Sequence, residues 1–209
     1  MKYRHAFHAG NFADVHKHVT LLALLRALER KDTGFLLLDT HAGRGLYDLA
    51  DADARKGNEA AGGIARLEAA QSGSAQPLAT ELTDYLASIQ QIRSERRDRR
   101  CYPGSPLLGL HALRPQDRAV FIETQPTEHA APRAAVGKRA TVECADGFQR
   151  LANWLPPRER RALVLIDPPY EATAADFREV ERALGETQPR AAIEVLRDCG
   201  ALKVLLPEV

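Results

Sequence analysis

Four short apolar runs in this chain stop at or just before an acid: GFLLLD at 34–39, AVFIE at 119–123, ATVECAD at 140–146 and ALVLID at 162–167. A continuous run of large apolar residues does not alternate between core and solvent as a half-exposed strand would. It suits a strand covered on both faces, as in a parallel sheet flanked by helices. The segments between the runs are long enough to hold crossover helices, so the expected fold is α/β with a doubly wound, Rossmann-like sheet. Open sheets of this kind bind ligands outside the carboxyl ends of their strands, which makes the terminal acids candidates for a single cleft.

The remaining chain fits this frame. Residues 15–30 place Val19, Leu22, Leu25 and Leu28 at helical spacing, which predicts a helix ahead of the first strand. From 47 to 100 no convincing strand is visible. The stretch is rich in Ala, Leu, Glu and Arg and is punctuated by GNEAAGG and QSGSAQP, so a helical insertion subdomain is expected at 50–100 inside one domain spanning 1–209. A chain of 209 residues with 44% hydrophobic and 27% charged residues can bury one sizeable core.

No apolar run approaches the roughly 18 residues that cross a bilayer, and the N-terminus lacks an apolar signal core, so no membrane partner is expected. Three widely spaced cysteines, Cys101, Cys144 and Cys199, suit neither a disulfide framework nor a zinc ribbon and point to a reducing cytoplasm. With no extended apolar surface in the pattern, a monomer is expected. A formal net charge of +1 exerts no global pull on nucleic acid, so a local basic patch would have to meet one. Five arginines between 93 and 100 suit phosphate contacts, although Glu95 and Asp98 among them suit a solvated helix face equally well.

The strongest chemical signal is Asp167-Pro168-Pro169-Tyr170, directly after an apolar run. An adenine amino nitrogen is a poor nucleophile because its lone pair is delocalised into the ring. A carboxylate and a backbone carbonyl, each accepting one amino hydrogen, would turn it toward tetrahedral geometry. Consecutive prolines present carbonyls while removing competing N–H donors. Asp167, the Pro168 carbonyl and Tyr170, a flat face for an extruded base, are the candidate catalytic group.

A second signal is the turn DTHAGRG at 39–45, whose glycines allow the backbone close to a nucleotide. Glu123 could accept bonds from ribose hydroxyls, but it follows Gly45 by far more than the roughly 20 residues of a simple dinucleotide fold, an excess the insertion would explain. Asp146 and Gly147 could receive a cofactor's adenine amino group. His16 and His18 form an H-x-H pair that matches no common zinc pattern and does not face one way on a helix, so no metal is expected. His18 and His41 are placed instead at the cofactor or RNA.

The motifs YRHAFHAGNFADVHKH (3–18), DTHAGRGLYDL (39–49), YPGSP (102–106) and IDPPYE (166–171) together resemble the bacterial 23S ribosomal RNA adenine-N6 methyltransferases, a family once described as proteins for catabolism of external DNA. The resemblance covers residues 1 to about 184. It implies a class I methyltransferase fold using S-adenosyl-L-methionine without a metal on largely unstructured 23S ribosomal RNA, protein-free or early in assembly. By motif position it implies Asp167 as the catalytic residue. His18, His41, Gly43, Ser105, Glu123, Asp146 and Gly147 would line the cofactor site, and Tyr3, Arg4 and Lys17 would contact the target nucleotide.

Two departures from the family pattern stand out. TQP follows Glu123 where the family has LHP, and past Leu184 the chain runs through GETQPR and a short expected helix to KVLLPEV, leaving room for at most one further strand. Either the protein is shortened here or stretches of a longer chain are missing from this sequence; the second is favoured, because a sheet without its edge strands would expose unpaired backbone. The competing readings are a DNA adenine methyltransferase and a non-catalytic nucleic-acid-binding protein involved in the use of external DNA.

Overall fold

The computed structural model describes residues 5–51, 57–73, 76–168, 173–186, 193–196 and 202–205. Eight strands are found among them: β1 (Leu36–Asp39), β2 (Leu46–Asp48), β3 (Cys101–Pro103), β4 (Arg118–Glu123), β5 (Thr141–Cys144), β6 (Ala162–Ile166), β7 (Ile193–Leu196) and β8 (Leu202–Leu205). Six of them form one sheet in the order β5-β4-β1-β6-β7-β8. All neighbours are parallel except β7 and β8. The chain winds outward from β1 in both directions, so β1 and β6 flank the switch point where such a sheet opens a crevice.

The apolar runs behave as strands covered on both sides. Leu37, Ala119, Phe121, Leu163 and Leu165 point into one core with the helix α2 (Phe12–Glu29). Leu36, Leu38, Val120, Ile122, Val164 and Ile166 point into the other, against α7 (Gly147–Trp154) and α8 (Thr173–Glu186). The expected α/β doubly wound sheet is therefore present, and the strands at 36–39, 118–123, 141–144 and 162–166 fall inside or within a residue of their expected positions.

Three expectations are corrected. Helix α2 starts at Phe12 rather than Val15, because the Asn11 side chain caps it by accepting the Asp14 N–H at 2.8 Å. The stretch from 47 to 100 is not free of strand: β2 pairs antiparallel with β3, Tyr47 opposite Tyr102. Two strands, β7 and β8, follow Leu184 where at most one was expected, and 193–196 is strand rather than helix.

Between β2 and β3 the described residues carry a 3₁₀ turn (Glu59–Gly62) and two helices, α3 (Ile64–Gly73) and α4 (Thr80–Arg96). A one-turn helix α1 (His5–His8) precedes α2, while α5 (Ser105–Ala112) and α6 (Pro126–Val136) cover the sheet between β3 and β5. Among the described residues no helix is long and apolar enough to cross a membrane.

Leu38 sits in the central strand with 0% exposure. Replacing it with Ala leaves a cavity between the sheet and the helices α7 and α8, so Leu38→Ala is expected to cost roughly 2–5 kcal/mol. A urea unfolding midpoint unchanged by the substitution would show that this layer is not tightly packed.

Candidate functional site

Three carboxylates meet at the carboxyl ends of adjacent strands, and each is satisfied in a different way. Asp39 ends β1 and is 1% exposed. It accepts the Ser105 hydroxyl at 2.6 Å and the His41 N–H at 3.1 Å. Burial pushes its carboxyl up to about 6 against these hydrogen bonds. Glu123 ends β4 and is also buried; it accepts the backbone N–H of Gly43 at 2.9 Å and of Gln125 at 2.8 Å. It thereby pins the glycine turn, in which Gly43 and Gly45 take φ of 59° and 69°, a conformation cheap only for glycine.

Asp167 directly follows β6 and is the most accessible of the three, with 27% of its side chain exposed. Its Oδ2 accepts from the Lys17 ammonium at 2.9 Å, and Lys17 also reaches Asp14 Oδ1 at 2.7 Å. Burial opposes the charge on Lys17, but Asp14 and Asp167 outweigh it and hold its pKa well above the usual lysine value. Burial opposes ionisation of Asp14 too, and Lys17 again outweighs it, holding that carboxyl down to about 2. Pro168 is buried beside Asp167.

The two histidines placed at the cofactor occupy different surroundings. His18 is 1% exposed; burial, the largest influence, takes it down to about 4, so the ring is neutral at physiological pH. Its Nδ1 bonds the Tyr102 hydroxyl at 3.1 Å, which bonds Tyr85 at 2.9 Å, while His18 Nε2 has no partner among the described residues. His41 stands half-buried, its Nδ1 2.8 Å from Thr40 Oγ1 and its ring edge-on to Phe148. Because the Thr40 hydroxyl donates to the Leu165 carbonyl, it accepts from His41 Nδ1–H, and a neutral His41 carries its acceptor at Nε2.

Asp146 is exposed and caps α7, accepting the N–H of Phe148 at 2.9 Å and of Gln149 at 3.1 Å. Gly147 leaves no room for a side chain, since a Cβ there would lie 2.1 Å from the Thr40 carbonyl oxygen. That contact presses the start of α7 onto the turn after β1. Tyr3, Arg4, Pro169 and Tyr170 lie outside the described residues.

His16 is exposed while His18 is buried, and among the described residues no group of three or more His, Cys, Asp or Glu side chains is arranged to hold a metal. The arginines at the end of α4 are divided. Arg93 is tied to Glu68 at 2.6 Å and to the Cys101 carbonyl at 2.8 Å, Arg96 reaches the Ala135 carbonyl, and Arg97, Arg99 and Arg100 are exposed.

Sequence reasoning passed over Asp14, Thr40, Tyr85 and Tyr102. Asp14 was legible as the third residue after an Asn cap, and Tyr102 stood inside the YPGSP motif. Tyr85 carried no signal, because a tyrosine on a helix looks the same whether its hydroxyl faces core or solvent.

A sheet of this order, with a glycine turn and three strand-end acids gathered at its switch point, defines a class I, Rossmann-like methyltransferase fold. Residues 32–197 match the family described as ribosomal RNA large subunit methyltransferase D, RlmJ, and the chain belongs to that family. It is 40% identical over 194 residues to the ribosomal RNA large subunit methyltransferase J of Haemophilus influenzae, covering 92% of this chain and 67% of that one. A Legionella pneumophila crystal structure superposes with a TM-score of 0.76 at 35% identity, over 90% of this chain and 68% of that one. A stretch of 33 residues is 67% identical to a CCA-adding enzyme of Pseudomonas entomophila, over 16% of this chain and 9% of that enzyme. That stretch is too short to carry an argument about activity.

Asp39 and His18 titrate in opposite senses. The Asp39 pKa is raised, so the folded state holds more protons than the unfolded between pH 4 and 6, and stability falls as pH rises through that window. The His18 pKa is lowered, so stability rises with pH between 4 and 6.5. In the wild type the two largely cancel. Asp39→Asn removes one side, and its stability relative to wild type is expected to grow by about 3 kcal/mol between pH 4 and 6.5. Parallel urea titrations of both proteins across this range check it; equal slopes would mean that Asp39 ionises normally.

Proposed function

We propose that this chain transfers a methyl group from S-adenosyl-L-methionine to the exocyclic N6 amino group of an adenine in 23S ribosomal RNA, protein-free or early in assembly. The observation that carries the reading is the Asp167 carboxylate, partly exposed at the sheet's switch point and held by Lys17, with the buried Pro168 next to it. Family membership and the Haemophilus relative's description as a ribosomal RNA large subunit methyltransferase support it.

The residues present suit the cofactor. His18 Nε2 is a buried polar atom without a partner among the described residues, the kind of group a bound ligand satisfies. The Gly43 and Gly45 turn allows close backbone approach. Glu123, fixed at the end of β4 by two backbone N–H groups, presents a carboxylate, the acceptor type that ribose hydroxyls call for. In this reading His18, His41, Gly43, Ser105, Glu123, Asp146 and Gly147 line the cofactor site.

When bound, the sulfonium supplies a methyl group on a good leaving group; the protein's task is alignment. Lys17 takes one oxygen of Asp167, and the carboxylate keeps its other oxygen as an acceptor. That oxygen and the Pro168 carbonyl each accept one amino hydrogen of the extruded adenine, which aims the nitrogen lone pair. Tyr170 stacks on the base, and Tyr3, Arg4 and Lys17 contact the target nucleotide. In this reading one domain spans 1–209 with a helical insertion at 50–100, and the exposed Arg97, Arg99 and Arg100 after α4 supply local positive charge for the RNA backbone. The enzyme works as a cytoplasmic monomer.

Asp167→Ala is expected to abolish methyl transfer while S-adenosylmethionine still binds. Incubating the protein with labelled cofactor and protein-free 23S rRNA, then digesting the RNA for N6-methyladenosine, checks both halves of the claim. Turnover retained by the variant overturns the assignment of Asp167. Methyl appearing in DNA and not in RNA moves the substrate to the other nucleic acid.

A further inference from the structure

We propose that Asp14 is a positioning residue for methyl transfer: it fixes the Lys17 ammonium against the Asp167 carboxylate and ties that pair to the turn before α2 and the start of α3. The inference rests on the function proposed above. The plain reading of Asp14 is a helix cap, since it occupies the third position after the Asn11 cap, where an acid usually reaches back to the cap residue's own N–H. Here that N–H is bonded instead to the His8 carbonyl at 3.1 Å, and Asp14 Oδ2 accepts the N–H of Gly10 at 3.0 Å. Its second oxygen is not spent on the helix backbone; it lies 2.7 Å from Lys17 Nζ.

Lys17 has a long, flexible stem and one functional partner, Asp167, at 2.9 Å. A second carboxylate on the same helix, three residues earlier, restricts where the ammonium can sit. It also supplies the charge that lets a largely buried ammonium stay protonated. Asp14 and Asp167 touch the Lys17 ammonium, and the titratable groups that share its electrostatic surroundings are His18 on α2, Asp39 at the end of β1 and Tyr85 on α4. His18 is neutral and Asp39 is half-ionised near pH 6, so Asp14 and Asp167 carry the compensating charge.

The same carboxylate reaches the insertion through backbone. Gly10 takes φ of 77°, its carbonyl accepts the Ile64 N–H at 2.8 Å, and a Cβ on Gly63 would come within 2.1 Å of that carbonyl oxygen. The turn is thus held on one side by Asp14 and on the other by the first residues of α3. Asp14, Lys17 and Asp167 continue that contact to the reacting centre.

The test uses the full chain and protein-free 23S rRNA. Asp14→Asn keeps an acceptor for the Gly10 N–H and removes the charge. It is expected to lower kcat at least about tenfold, as misplacement near a reacting atom does, with the KM for S-adenosylmethionine unchanged. The basic limb of its kcat–pH profile moves to lower pH, because burial now acts on Lys17 against one carboxylate instead of two. Asp14→Glu, which restores the charge, returns the limb toward its wild-type position.

If Asp14→Asn does not fold, Asp14→Ser, which also keeps an acceptor, is read by the same criteria. A variant with wild-type kcat and an unmoved basic limb overturns the proposal and leaves Asp14 a cap. No transfer by the wild-type protein overturns the function on which the proposal rests, and the proposal with it.

Discussion

Three acids end three neighbouring parallel strands, and the sheet can close only if each is satisfied without bulk water. An unpaired buried carboxylate costs several kcal/mol, so the way each is satisfied determines its use. Asp39 is met by a hydroxyl and an N–H, and burial keeps it partly protonated near pH 6. Glu123 is met by two backbone N–H groups that fix the glycine turn. Asp167 is met by a charge, Lys17, and is the least enclosed of the three. Only Asp167 combines a compensated charge with access, which is what an acceptor for an incoming amino group requires.

Dependence on Lys17 makes the first turns of α2 part of the site rather than a lid over it. The helix starts where it does because Asn11 caps it, and that start places Asp14, Lys17 and His18 on faces turned toward the strand ends. His18 lies one residue beyond Lys17 yet is fully buried, its ring held by Tyr102, while His16 points to solvent. Two histidines two residues apart therefore do unrelated things, as helical geometry dictates.

Much of this was legible in the sequence. β1, β4 and β6 were plain because strands buried on both faces read as unbroken apolar runs. The strand-end acids were legible only together, because one acid closing an apolar run is commonplace while several at the same edge of one sheet meet in one cleft. β2 and β3 were not, since strands of three residues have no measurable period and their pairing joins positions far apart in the chain. The strand β7 escaped for a related reason: a run such as IEVL fits a helix turn as well as a strand, and only a neighbouring strand decides between them. The roles of the polar side chains were the least legible. Nothing in the letters HKH says which ring is buried, and Asp14 reads as a cap until its second oxygen is seen on Lys17.

The missed ribbon also explains why a long excursion between the glycine turn and β4 leaves the site intact. β2 leaves the turn and β3 returns beside it, with the Gly104 N–H on the Gly45 carbonyl at 2.9 Å, so the excursion is pinched shut where it begins. Closing a longer loop costs only slightly more entropy once its ends are fixed. The returning strand brings Tyr102 to His18, and the helix after it brings Ser105 to Asp39. Tyr85 on α4 completes the buried hydroxyl pair behind His18. The excursion therefore supplies the groups that orient His18 and moderate Asp39, and its far end meets the Gly10 turn at Gly63 and Ile64. Its deletion would remove hydrogen-bond partners from the switch point itself.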